Sequence, residues 1–491
     1  MVYAIAAMAS RGVTFLLVPI YTRILGPVNY GALDLILTAG LLVNLVVALE
    51  VGQGLAREWA DQVDEAQRRR LVSTALTFTV LTHAAFLALA LAGSAPLTEV
   101  LIGSPKFEAE LRAGLTFIAV NAVFLQLQSQ FRWGMRARSY AAVSLLYSLL
   151  TLYLGATLGR SHGLQGILWG QALAAGLGCA TGMAMQRGQF RLALDTRQLG
   201  LMLRYSLPLV PTGIAMFASF YVNRLILSAM APLTEVGILG VGQRVASLTM
   251  LLIVGLQGAL TPLIYRHHHE PGVPAQLAHI FERFIALAML SCLLLSVFAG
   301  ELIRWLATPE FGPAAALLPW LAPAALLSQM YIFAPGIAIA RKTAWQFALT
   351  GISAVLAIGL SLLLIPLWGA PGAAVASCFA GALFLALWVT ASQHVYPLPL
   401  RWRAIAWTLP AYVGLVWVGL QFDRSGWPTG ATVALKLLTL GALAALLRLA
   451  GLLRRHELAS LGASKAGASE SQPTGTSTPS THRPDPADCR A

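Results

Sequence analysis

Apolar runs of about twenty residues recur along nearly the whole chain, and no other feature restricts its fold as tightly. A hydrocarbon core about 30 Å thick needs roughly 20 apolar residues per spanning helix. Lipid offers no partner to an unpaired backbone amide, so each such run is expected to be helical. About fourteen spans are predicted, near 2–22, 33–53, 71–93, 112–131, 140–159, 164–185, 205–230, 236–263, 281–300, 315–336, 345–366, 371–392, 404–420 and 429–449. The expected fold is therefore an all-α polytopic membrane protein. Only 11% of residues are charged, against about a quarter in soluble domains. A net charge of +13 raises the question of nucleic acid, but the Lys and Arg residues sit in short loops between the spans. No nucleic-acid partner is expected; the partner that composition demands is the lipid bilayer.

The loops also set the orientation. Even-numbered loops and the tail hold 23 of the basic residues, among them Arg68, Arg69, Arg70, Arg136 and Arg138. Odd-numbered loops hold 6: Arg23, Lys106, Arg112, Arg160, Arg304 and Arg424. The positive-inside rule then places both termini in the cytoplasm. Met1 stands at the lip of the first span, so either no cytoplasmic arm precedes it or the start lies upstream. From 460 to 491 the chain turns to Ser, Thr, Pro and Gly, a composition unable to bury a core. Cys179, Cys292 and Cys378 lie in apolar runs and Cys489 in the tail, with no metal or redox spacing.

An internal repeat at an offset of about 204 residues carries more information. Ser104-Pro105-Lys106-Phe107 is echoed by Thr308-Pro309-Glu310-Phe311, and Gly163-x-x-Gly166 by Gly369-x-x-Gly372. Phe131-x-x-Gly134 is echoed by Phe333-x-x-Gly336, and the turn from Arg23 to Gly31 by that from Arg224 to Gly237. A unit of six spans is even, so both copies face the same way, related by a pseudo-two-fold axis along the membrane normal with a cavity between them. The expected organisation is a bundle over 1–200, a second over 201–396, an appended helix pair over 397–455 and a disordered cytoplasmic tail over 456–491. Pro19 in the first span, with Pro208 and Pro211 in the seventh, are expected to interrupt those helices and let a bundle rock.

Few residues carry chemistry. None of Lys106, Lys342, Lys436 or Lys465 follows a glycine, so no phosphate-binding P-loop exists and no cofactor is expected. Gly159-Arg160-Ser161-His162-Gly163 fits a hydrolase elbow, but that turn works only between a strand and a helix. The run His267-His268-His269-Glu270 reads as a solvated loop, and no metal site is expected. Charges inside spans weigh more, because an Arg at the bilayer centre costs roughly 2.5–3.5 kcal/mol on insertion scales. Arg11 lies in the first span, and Arg224 and Arg244 stand at one level about 10–12 Å deep. Two neighbouring cations repel unless an anion joins them, so Arg11, Arg224 and Arg244, with Arg57 at the inner mouth of the second span, are the candidate anion-binding set. Glu50 and Asp34 are candidates for ion pairing or coupling, and Lys436 is expected to be peripheral.

The string Thr22-Arg23-Ile24-Leu25-Gly26-Pro27-x-x-Tyr30-Gly31 resembles the turn after the first helix in polysaccharide biosynthesis flippases. These are the Wzx-type members of the multidrug/oligosaccharidyl-lipid/polysaccharide exporter (MOP) superfamily. Leu55-Ala56-Arg57, Tyr205-Ser206-Leu207-Pro208-Leu209-Val210-Pro211 and Asn223-Arg224 look like the same family, although relatives carry an acidic residue where Asn223 stands. The resemblance covers roughly residues 1–450. It implies a V-shaped, MATE-like transporter that flips an undecaprenyl-diphosphate-linked oligosaccharide from the cytoplasmic to the periplasmic leaflet of a bacterial inner membrane. It implies no enzyme activity; glycan polymerase or export proteins are its expected partners. Three alternatives stay open: a cation-coupled drug exporter of the superfamily, a lipid II flippase, and a membrane glycosyltransferase or polymerase using Glu99, Glu108 and Glu110.

Overall fold

The computed structural model describes residues 2–186, 193–253, 256, 260, 264, 269–270, 272–340, 343–423 and 427–453, with side chains from residue 12 onward except at 14, 343 and 429. The side chain of Arg11, along with His267, His268, Cys489 and the tail, lies outside the described residues. All regular structure among the described residues is helical. In chain order the helices are α1 (Val2–Ile24), α2 (Pro27–Val47), α3 (Val51–Asp61), α4 (Glu65–Ala92), α5 (Ser94–Ile102), α6 (Glu108–Trp133), α7 (Ala137–Met185), α8 (Thr196–Ser206) and α9 (Leu209–Met230). There follow α10 (Leu233–Ala246), α11 (Val273–Val297), α12 (Ala299–Leu306), α13 (Leu318–Leu327), α14 (Gly336–Ile339), α15 (Thr343–Trp368), α16 (Ala370–Val395), α17 (Trp402–Phe422) and α18 (Thr429–Leu449).

Among the described residues, 12 helical segments are long and apolar enough to cross a membrane. One of them, α7, runs for 49 residues, about twice a span. It is two helices joined at Gly163, whose φ of 57° and ψ of −135° suit glycine alone. Outside the twelve, α1 adds 23 residues with its apolar part at Phe15–Ile24. Helical structure is found at most of the predicted positions, but several ends differ. The second begins at Pro27, six residues early, because proline at the first helical position needs no N–H partner and follows Gly26 directly. It stops before Leu49 and Glu50, which both adopt left-handed φ values of 50° and 52°.

Three expectations need correcting. Of the prolines expected to interrupt helices, Pro208 stands in the two-residue break between α8 and α9, inside the predicted seventh span. Pro211, by contrast, lies in the first turn of α9, where its missing N–H costs nothing, and α1 continues through Pro19. The tenth span is not one helix: a 3-10 segment at Pro309–Leu317 leads into α13, and a second at Met330–Phe333 separates α13 from α14. Pro313, Pro319, Pro323 and Pro335 remove amide donors through this stretch. The loops expected after spans 2 and 6 contain the amphipathic helices α3 and α8, which are in backbone contact at Gly54 and Met202. Asp195 caps α8 by accepting from the amides of Arg197 and Gln198 at 3.0 and 3.1 Å.

The repeat has a local structural counterpart. Gly369, 206 positions after Gly163, has φ 62° and ψ −131°, within a few degrees of its partner. Gly166 abuts the carbonyl of Leu158, and Gly372 that of Leu364, at the same offset. Along the seam of α2 and α10 the contact is reciprocal: Gly31 abuts the carbonyl of Leu233, and Gly237 that of Pro27. Ser104 and Thr308 both hand over from extended backbone to a 3-10 turn that starts at a proline.

The pair α17 and α18 is anchored by charge. Lys436 is fully buried, with Nζ 2.6 Å from both Glu301 Oε1 and Asp423 Oδ1. Its expected peripheral place is thus wrong, because carboxylates from α12 and from the end of α17 converge on it. On the other end, buried Glu282 of α11 accepts from the amide of Arg401 at 2.8 Å.

Candidate functional site

Asp34, Arg224 and Arg244 meet inside the helical assembly. Asp34 lies seven residues into α2 and Arg224 six residues before the end of α9, each ~10 Å from a helix end at 1.5 Å per residue. Arg224 Nε stands 2.7 Å from Asp34 Oδ2, with side chains only 12% and 7% exposed. The two atoms are close without hydrogen-bond alignment, so the contact is one of charges and leaves bonding capacity on both. Gly240 makes room for this pair, since its α-carbon faces the Asp34 carboxylate. The Arg224 guanidinium also lies 5.4 Å from the centroid of the Tyr221 ring.

Arg244 differs. It projects from α10 over the ring of Tyr30, with Cζ 5.1 Å from the centroid. Tyr30 is fully buried, its ring edge-on to Phe311 at 5.5 Å, and its hydroxyl has no partner. A cation over an aromatic face gains about 0.5–2 kcal/mol but keeps its charge. Among the described residues no carboxylate lies within ion-pair distance of Arg244, whereas Asp34 neutralises Arg224. The anion that the sequence demanded between two cations is thus supplied half by the protein itself. The charge left for a ligand is on Arg244.

Two hollows border this group. One, of about 270 Å³, is walled by Asp34, Asn44, Asn121, Tyr221, Arg224 and Arg244. The other, of about 530 Å³, is walled by Tyr147, Ser148, Thr151, Gln171, Ser247 and Arg244. They share Leu37, Phe117 and Arg244, so Arg244 stands where they meet. Such volumes fall in or near the ~300–1,000 Å³ range of ligand clefts. Both Arg residues line one hollow, but Arg244 lies eleven residues into α10 against six from the end of α9 for Arg224, so the equal depth read from the sequence does not follow from the helix ends. The hydroxyl and amide groups were missed, because single Ser, Thr and Gln residues inside apolar runs look like ordinary helix packing.

The remaining candidates lie elsewhere. Arg57 sits on α3, 59% exposed and 3.6 Å from Asp61, and lines neither hollow. Glu50 occupies the left-handed break before α3, also away from both walls. Asn223 turns from Arg224 to donate to Ser377 of α16 at 2.8 Å. The hydrolase-like string occupies the exposed kink of α7, where Ser161 meets only the Leu158 carbonyl and His162.

Residues 1–268 match the family described as polysaccharide biosynthesis protein. The chain belongs to that family. No curated protein matches the sequence. Among solved structures, the lipid II flippase MurJ in an inward closed conformation superposes with a TM-score of 0.71 at 12% identity, covering 90% of this chain and 98% of that one. An inward-facing multidrug resistance MATE family transporter of the MOP superfamily gives 0.64 at 14% identity, covering 78% and 94%. A MOP superfamily transporter from Pyrococcus furiosus gives 0.52 at 14% identity, covering 80% and 94%. The fold is accordingly that of the MOP superfamily, and the protein is a multi-pass membrane protein.

Proposed function

We propose that this protein is a MOP-superfamily flippase, not an enzyme, that carries an undecaprenyl-diphosphate-linked oligosaccharide from the cytoplasmic to the periplasmic leaflet of a bacterial inner membrane. Surface polysaccharide assembly would use the product, with a glycan polymerase as the next partner. The observation that carries the reading is Arg244: a guanidinium with no carboxylate in ion-pair distance among the described residues, standing where two hollows meet deep among apolar helices. A diphosphate is the anion such a site suits, since guanidinium offers paired donors to phosphate oxygens. The hydroxyl, phenol and amide groups set in the mainly apolar walls offer the glycan hydrogen bonds while the prenyl tail stays in lipid. The repeat, the reciprocal seam of α2 and α10 and the matched glycines support two like bundles rocking about that seam, and the excess of Lys and Arg in the even-numbered loops supports cytoplasmic termini.

A multidrug exporter of the same superfamily is favoured by one observation, the Asp34 carboxylate in the wall. Asp34 is committed to Arg224, however, and the hollow it borders carries a net positive charge among its described residues. The polymerase reading loses Glu108, which accepts from Ser94 and Arg112 at 2.7 Å and is tied into the turn. The test is the sidedness of lipid-linked oligosaccharide in a strain lacking the gene, read with a membrane-impermeant glycan label. The intermediate should collect on the cytoplasmic face and return to the outer face on complementation. Unchanged sidedness with raised drug sensitivity would hand the function to the exporter reading.

A further inference from the structure

Gln171 of α7 is 5% exposed, and its amide fits neither ordinary packing nor the diphosphate. Its Nε2 donates to the Tyr21 hydroxyl at 3.3 Å, while Oε1 has no partner and the side chain lines the larger hollow. Whichever way the amide is turned, one polar atom is left without a partner among the described residues. Thr151, 7% exposed, stands in the same wall, its hydroxyl next to the Tyr147 phenol one helical turn away. Ser148, also 7% exposed, and Tyr147 lie beside it, the Tyr147 phenol donating to Asn121 at 3.1 Å. Buried polar atoms are nearly always paired, so the Gln171 amide atom left over on a cavity wall rich in hydroxyls marks a group whose partner arrives with a ligand. The rest of the lining is apolar and includes Phe15 and Phe117, and Arg244 is shared with the hollow that holds the ion pair.

We infer that this hollow is a sugar subsite in which Gln171 and Thr151 read the hydroxyl groups of the sugar unit adjoining the diphosphate held by Arg244. The inference rests on the flippase reading for the diphosphate, and adds where the first sugar sits and what recognises it. A sugar ring has an apolar face for Phe15 and Phe117 and a rim of hydroxyls that both donate and accept, which matches the Gln171 amide and the Thr151 hydroxyl. A ring of the same size without hydroxyls would bury the Gln171 amide with one atom unpaired, which is a strong basis for rejection.

The test uses purified full-length protein in detergent and three soluble probes: a short-chain prenyl diphosphate, its hexose ester and its cyclohexyl ester. Wild type should bind the hexose ester about tenfold more tightly than the bare diphosphate, the gain expected of one or two net hydrogen bonds. The cyclohexyl ester should show no such gain. Thr151→Val and Gln171→Met, which keep side-chain size, should each remove most of the hexose gain and leave bare diphosphate binding within about twofold; that retained binding also shows the variants are folded. Equal binding of the hexose and cyclohexyl esters, or a full hexose gain in both variants, would overturn the sugar subsite and leave the flippase reading standing. Bare diphosphate binding that is unchanged in Arg244→Ala would instead overturn the anion site, and the subsite with it.

Discussion

Replacing Lys436 by Met removes the ammonium from between Glu301 and Asp423, each 2.6 Å from it, and leaves two carboxylates facing one another. Removing one partner of a buried ion pair costs about 3–5 kcal/mol, because an uncompensated charge stays behind. Here the surviving carboxylates are 30% and 37% exposed, so water recovers part of the loss. Discounting for that screening gives ~2–3 kcal/mol. A domain of 150–250 residues loses about 2–4 °C of melting temperature per kcal/mol. For this chain of 491 residues ~1–2 °C per kcal/mol is appropriate, so Lys436→Met should melt roughly 2–6 °C below wild type. The assay is apparent thermal unfolding in one detergent at one scan rate, since membrane-protein unfolding is seldom reversible. Adding Glu301→Gln and Asp423→Asn to Lys436→Met should recover most of the loss, because removing all the charges together leaves none uncompensated. A single variant that melts with wild type, or a triple variant no better than the single, would refute the claim that this cluster docks α17 and α18.

Gly369→Ala should destabilise more than Gly163→Ala: both force a side chain into positive φ, about 1–2 kcal/mol, but only at Gly369 does the methyl also meet the Glu235 carboxylate. Equal melting temperatures for the two would contradict that geometry. Asp34→Asn should leave Arg224 unpaired, lowering stability by ~3–5 kcal/mol, and Arg224→Gln in the same chain should restore part of it, as a double-mutant cycle would show. Gly31→Ala and Gly237→Ala should impair transport to a similar degree, since each methyl enters the same α2–α10 seam against a backbone carbonyl; a large difference between them would break the reciprocity.

The helices were legible because lipid forces one solution on an apolar run of sufficient length. Boundaries were less so: Gly26-Pro27 is a strong start signal, yet the span was expected at 33, which wrongly left Asp34 near a helix end. Helices α3 and α8 escaped because an eleven-residue amphipathic segment vanishes in a window the width of a membrane. The repeat was readable through glycines and prolines, which hold the backbone conformations that both copies need. Arg224 and Arg244 were found because a charge in a span stands out. Their unequal roles were not, since the ion pair to Asp34 depends on how α2 and α9 pack. Lys436 was misjudged for the same reason: its partners lie 135 and 13 residues away along the chain.

The central claim is that an anionic lipid-linked head group crosses the membrane at Arg244. The most direct measurement reconstitutes the purified protein in proteoliposomes with a fluorescent prenyl-diphosphate oligosaccharide and follows its leaflet exchange with a membrane-impermeant quencher. Wild type should accelerate exchange, and Arg244→Ala should return it to the protein-free rate while reconstituting equally well. Wild-type exchange by Arg244→Ala would contradict the account.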